Sequence, residues 1–163
     1  MPVLPYRERQ PSLGPDIVIA DDAYVVGEVT MAGPAIIASS AVMRGEEAAI
    51  SIGARFRMGS RATIHVDPGA ETHIGSDVFL GEGCVVHGSV LGDCIRVGAG
   101  ASVLNHSTVG SGSVIAEGGL VSESATFPEN SYIEGTPGKR TRDTTAEERE
   151  ATLATVRAAL GAG

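Results

Sequence analysis

An aliphatic residue recurs every six positions through most of the chain. The series runs Ile19, Val25, Met31, Ile37 and Met43. It resumes as Ile52, Met58 and Ile64, then as Ile74, Leu80 and Val86, and closes as Leu91, Val97, Val103, Val109, Ile115 and Val121. Gly often follows the aliphatic, as at Gly53, Gly59, Gly75, Gly81, Gly92, Gly98 and Gly110. The fourth residue after it is mostly small or β-branched, as at Ala23, Val29, Ala41, Ala62, Val78, Cys84 and Ala101. A helix would space its apolar residues by three and four and would be weakened by so many glycines. A plain strand alternates every two residues. A hexapeptide period marks a parallel β-helix: each hexad gives one short strand and one corner, and three hexads close a triangular coil of about 18 residues. The aliphatic points into the prism, the small residue packs inward near the corner, and Gly permits the turn. A Gly-rich β-sandwich, the other reading of such a composition, does not account for so many positions in phase.

Composition agrees with this all-β solenoid. Gly supplies 22 of 163 residues and aromatics only 4%, so the core must be built from Val, Ile, Leu and Ala. The phase breaks three times. Met43 to Ile52 and Ile64 to Ile74 are small insertions at corners, and Val86 to Leu91 is a one-residue deletion. Loops on solenoids often carry function. The expected organisation is an N-terminal extended segment (1–18), a β-helix (19–126), and a return segment with a C-terminal helix packed on the β-helix (127–163). Tyr132 to Arg142 reads as irregular, with Pro137 and Gly138 as breakers. In the helix, Thr144 or Thr145 is the N-cap, with Glu147 or Glu148 three residues later as a capping box. Leu153, Val156, Ala159 and Leu160 form its packing stripe, and Gly161 ends it.

The net charge of −8 leaves no basic footprint for nucleic acid and makes an anionic membrane a poor partner. No apolar run approaches the ~18 residues of a spanning helix. The N-terminus lacks the layout of a signal peptide. Two cysteines, Cys84 and Cys94, make no disulfide framework, which fits a reducing cytoplasm.

Hexad counting also places side chains. Residues three hexads apart share a face on successive coils, with strands stacked about 4.8 Å apart. Met43, Ile64, Val86 and Val103 are related in this way. The residues after them, Arg44, His65, His87 and Leu104, therefore form one outward column, with Glu46 beside its bottom and Asn105 beside its top. Two imidazoles one rung apart can reach one metal ion at about 2.0–2.1 Å; solvated or packed histidines are the alternative. A third ligand is available in Glu82, one hexad before Val86 on the neighbouring face. It reaches His65 and His87 only if a second prism packs alongside. Three prisms around a threefold axis would form three such sites, each built by two subunits. Two His and one Glu make a known catalytic zinc set, which leaves the fourth place to an activated water.

These residues resemble the γ-class carbonic anhydrases of the left-handed β-helix, hexapeptide-repeat superfamily. The resemblance covers nearly the whole chain. It is carried by the N-terminal Pro-Tyr stretch, the repeats, Met43-Arg44-Gly45-Glu46, Ile64-His65-Val66, Gly81-Glu82-Gly83-Cys84-Val85-Val86-His87-Gly88, and Gly135-Thr136-Pro137-Gly138-Lys139-Arg140 before the final helix. It implies a left-handed coil, a homotrimer, a metal at each subunit interface held by three histidines, and hydration of CO2 as the activity. Relatives in the superfamily include acyl-CoA thioesterases. Carried over residue by residue, His65 and His87 are metal ligands, and Arg44 occupies its family position. Glu82 stands where the family has the first His of a Gly-His-x4-His step. Glu46 replaces an Asp and can still pair with Arg44. Gly59-Ser60 stand where the family has Gln-Asp, and His106 replaces a small residue at the pocket roof.

Glu82 then has three roles open to it: third zinc ligand, general acid or base in a metal-free pocket, or relic of a lost site. With Arg44, Glu46 and Asn105 it completes the candidate catalytic set, and His65, Glu82 and His87 form the candidate metal set. The expected function is a metal-dependent hydratase or lyase acting on a small molecule. A metal-free lyase, thioesterase or hydrolase, a hexapeptide acyltransferase, and a non-catalytic trimeric scaffold are the alternatives. His73, in a corner before Ile74, is expected to be solvated. Cys84 is expected to fill an inward slot, Lys139, Arg140 and Arg142 to be a solvated run, and Asp67 to Glu71 to border the pocket.

Overall fold

The computed structural model describes residues 2–161. In it the hexads wind a left-handed parallel β-helix of about seven turns, closed by one C-terminal helix. The first coil contains β1 (Val3–Leu4), β2 (Ser12–Leu13) and β3 (Ile17–Ile19). In the second and third coils β4 (Tyr24–Met31) and β6 (Val42–Ile52) each bend across a corner and serve two faces, and β5 (Ala35–Ile37) and β7 (Phe56–Met58) serve the third. The fourth coil is β8 (Thr63–His65), β9 (Thr72–Ile74) and β10 (Val78–Leu80). The fifth is β11 (Val85–His87), β12 (Val90–Leu91) and β13 (Arg96–Val97). The sixth is β14 (Ser102–Val103), β15 (Thr108–Val109) and β16 (Val114–Ile115), and the seventh is β17 (Leu120–Val121), β18 (Thr126–Phe127) and β19 (Ser131–Glu134).

Three flat faces result. A helix-covered face stacks β3, β5, β7, β10, β13, β16 and β19. A histidine face stacks β1, the first halves of β4 and β6, then β8, β11, β14 and β17. The third face stacks β2, the second halves of β4 and β6, then β9, β12, β15 and β18. Pairing thus begins below Ile19 and runs past Val121, because Val3 lies in register with Val25 and Leu13 with Met31, and Ile133 with Ile115.

The aliphatic series forms the core. On the histidine face Val25, Met43, Ile64, Val86, Val103 and Val121 stack with no exposed surface. Burial of each such side chain contributes about 1.5–3 kcal/mol before the entropy of ordering is counted. The corner before β11 shows why glycine recurs. A Cβ on Gly81 would lie 2.7 Å from the Ala99 nitrogen and the Val97 oxygen of the next coil. Gly83 has open space around it but a φ of +65°, the left-handed region that other residues enter at a cost. Glu82, between them, is pushed to the outer tip of the corner.

The tail departs from the expected irregular return. Ser131–Glu134 (β19) and β20 (Lys139–Asp143) pair antiparallel, so Pro137 and Gly138 lie in the turn of a hairpin. The basic run is exposed, as expected, and two of its members are ion-paired: Arg140 meets Asp143, and Arg142 meets Glu148 at 2.7 Å. Helix α1 (Ala146–Gly161) opens with a reciprocal capping box. The Thr145 amide donates to Glu148 Oε2 at 2.8 Å and the Glu148 amide to Thr145 Oγ1 at 3.1 Å. The helix lies on β5, β7 and β10, with Thr152 and Val156 buried. Among the described residues, no helix is long and apolar enough to cross a membrane.

Candidate metal centre

The edge shared by the histidine face and the third face carries the site. His65 ends β8 and His87 ends β11, and the two are register partners, with Arg44 of β6 the partner of His65 below. The backbone ladder fixes the imidazoles one rung apart. Their ring centroids are 4.8 Å apart, and His65 Nδ1 lies 2.8 Å from His87 Nε2. Asp67 joins them. The ten-residue step from Ile64 to Ile74 folds as a tight turn in which the Ala70 amide donates to the Asp67 carbonyl at 2.9 Å. That turn holds Asp67 beside the two rings, and one ligand atom from each of His65, Asp67 and His87 lies within 4.8 Å of the others.

Asn105, on the coil above, braces the group. Its carbonyl Oδ1 accepts from His87 Nδ1, and its Nδ2 donates to Asp67 Oδ2 at 3.0 Å. A carbonyl oxygen only accepts, so the proton of His87 sits on Nδ1 and Nε2 offers a lone pair toward His65. Burial lowers the pKa of His65, and the nearby His87 and Arg44 lower it further, which favours the neutral, ligating imidazole. Arg44 donates to Glu46 Oε2 at 2.7 Å, and that hydrogen bond raises the arginine's pKa.

The donor set suits a divalent metal. Two imidazoles and a carboxylate are the ligand types of catalytic zinc sites. Ligand atoms around one tetrahedral zinc lie about 3.3 Å apart, so the two nitrogens need to separate by only about half an ångström. Asn105 already supplies the outer hydrogen bond that fixes a ligating imidazole.

Of the residues picked out by sequence, His65, His87 and Asn105 converge, and Arg44 and Glu46 form a pair on the column just below. Glu82 does not join them within the chain. It stands at the opposite edge of the histidine face, on the order of 15 Å along the strand direction. There its carboxylate is 3.7 Å from Arg61, both side chains being largely exposed. Asp67 is the member that hexad counting did not place. It belongs to the insertion that was expected to border the pocket, where phase is lost, so its place within the cluster itself could not be counted out. His106 lines a corner cavity of about 360 Å3 beside the cluster. His73 is exposed, as expected, and Ser51 and Glu71 meet its two ring nitrogens. Cys84 is fully buried, and burial pushes its thiol up to about 12, as suits an inert packing residue.

A parallel β-helix of hexapeptide repeats with paired imidazoles on an outer edge is the class of protein that fold and site define. No family model matches the chain. It is 33% identical over 133 residues to a "Probable carbonic anhydrase" of Methanocaldococcus jannaschii, covering 82% of this chain and 84% of that protein. It is 29% identical over 150 residues to "Gamma carbonic anhydrase 2, mitochondrial" of Arabidopsis thaliana, covering 86% of this chain and 53% of that protein. The chain thus spans about half the length of this plant relative. A hexapeptide transferase family protein from Anaplasma phagocytophilum superposes with a TM-score of 0.93 at 26% identity, over 98% of this chain and 95% of that one. The chain belongs to the γ-carbonic-anhydrase-like family of hexapeptide-repeat proteins.

Proposed function

We propose that this protein is a metal-dependent, carbonic-anhydrase-like hydratase of the cytoplasm, acting on CO2 or a similarly small carbonyl compound. One observation carries the reading: His65 and His87, 2.8 Å apart, cluster with Asp67, and Asn105 braces His87 and Asp67. His65, His87 and Asp67 would hold the ion. Zinc bound there would supply a Lewis acid that lowers the pKa of water toward neutrality. Asn105 keeps the lone pair of His87 on Nε2. Arg44, one rung below His65, offers positive charge to an anionic product, and Glu46 fixes its guanidinium. Glu82 enters the same site only from a second copy of the chain, as in a homotrimer with interfacial metals, and would then be a further ligand or an acid–base group.

Metal content tests this. Untagged protein purified without added metal is expected to carry about one zinc per chain. His65→Ala should lose it. Loss in Asp67→Ala with retention in Glu82→Ala would locate the carboxylate ligand within the chain, and the reverse would locate it on a neighbour. Parent protein free of metal and inert toward CO2 would overturn the reading. The fold is equally that of proteins named transferases, such as the Anaplasma neighbour. Thioester turnover with an amine acceptor, unaffected by chelation, would favour an acyltransferase instead.

A further inference from the structure

The third face carries a second polar constellation, apart from the metal cluster. Ser51 of β6 and His73 of β9 are register partners on adjacent rungs, and Glu71 lies just before β9. Ser51 Oγ is 2.7 Å from His73 Nδ1, and His73 Nε2 is 3.0 Å from Glu71 Oε2. A carboxylate only accepts, so the ring proton sits on Nε2 and Nδ1 takes the hydrogen bond that the Ser51 hydroxyl donates. A hydroxyl on the lone pair of an imidazole whose far side is held by a carboxylate is the arrangement that activates a serine. The fold has no need of it. The strands are joined by their ladders, and half-exposed side-chain pairs outside the prism add little to stability.

A hollow lies above it. Val90, the register partner of His73 on the next rung, is 41% exposed, an apolar residue on an otherwise polar column. With Glu71, Ala70, Gly88, His106 and Thr108 it lines the corner cavity of about 360 Å3. On the other side of Ser51 its register partner is Thr30, which places a second hydroxyl one rung below.

We propose that Ser51 is a nucleophilic serine, with His73 as its base and Glu71 orienting that base, acting on a small acyl ester or thioester that meets the serine from solvent. Ser51 Oγ bonds to the carbonyl carbon while its proton passes to His73 Nδ1. The C–O or C–S bond then breaks, and the alcohol or thiol departs with that proton. Water attacks the acyl-serine, giving its proton to His73, and Ser51 leaves as a hydroxyl with the acid as product. Strand amides are engaged in the ladders, so the developing oxyanion has only a hydroxyl such as that of Thr30 to meet it. The expected behaviour is therefore covalent capture with slow turnover.

A fluorophosphonate probe tests the assignment on the full chain, with and without prior chelation. Ser51 Oγ displaces fluoride at phosphorus and its proton passes to His73. The expected result is a single adduct, mapped to Ser51, forming at the same rate in chelated protein. Its rate should fall at least tenfold in His73→Gln and several-fold in Glu71→Gln, with unaltered melting temperatures showing that both variants fold. No adduct at Ser51, an adduct that chelation abolishes, or equal rates in the parent and His73→Gln would each overturn the proposal.

Discussion

Asn105 is not itself one of the proposed ligands, yet it decides what two of them can do. Its carbonyl sets the tautomer of His87 and its amide nitrogen holds Asp67. Outer partners of this kind typically change metal affinity by 10–100-fold when removed. Asn105→Leu is therefore expected to weaken zinc binding by about that factor in a chelator competition, with the fold intact. Cys84 makes a contrasting case. Its thiol, pushed up to about 12, should resist alkylation at pH 8 in the folded chain and react only on unfolding, as mass spectrometry of iodoacetamide-treated protein would show. At this scale the sequence was readable wherever the hexad phase held. His65 and His87 followed from counting, because residues three hexads apart must stack. Asp67 did not, because the turn that delivers it interrupts the phase. The Ser51–His73 contact lies on a polar outer column, where packing imposes no pattern that could be read.

At the scale of elements, the corner and the helix cap give opposed tests. Gly81→Ala drives a Cβ into the next coil's backbone and is expected to lower the melting temperature markedly. Gly83→Asn has open space and a residue that tolerates positive φ, and should cost little. Thr145→Ala removes one half of the capping box, an expected loss of about 1 kcal/mol in chemical denaturation. The other half has a pH signature. The Glu148 carboxyl is lowered from 4.5 to about 2, first by the hydrogen bond from Arg142 and then by the Thr145 amide. Because its folded pKa is depressed, this stabilisation is fully present above about 4.5 and is lost as pH falls toward 2. The stability difference between the parent and Glu148→Gln should be constant above about pH 5 and shrink in more acid solution, measured by circular dichroism. The cap was legible in Thr145 and Glu148. The hairpin of β19 and β20 was not, because its second strand is exposed along its length and carries no apolar alternation.

For the whole molecule, a metal in the proposed site would couple that site to the stack. His65 and His87 sit on adjacent coils, so an ion held by both also ties those coils together. Zinc at a hundred times its dissociation constant should stabilise the parent by about 2.7 kcal/mol. A His65→Ala/His87→Ala variant should show no zinc-dependent rise in melting temperature, which calorimetry would check. The first coil illustrates how far the solenoid outran its pattern: the Tyr6–Arg9 turn breaks the spacing, and the strands around it pair all the same because the ladder needs register, not a six-residue count.

The repeat has one more consequence, for length. Each coil pairs its strands only with the coils above and below it, and the C-terminal helix reaches across several. The regular unit of length is therefore the coil. Three added hexads raise what lies above them by about 4.8 Å and return every side chain to its former face. Any other number has to be taken up at a corner, as in the steps from Met43 to Ile52 and from Ile64 to Ile74. A protein of this design grows either by whole storeys or by a bulge on a landing, and the landing that carries Asp67 adjoins the floor where the histidines stand.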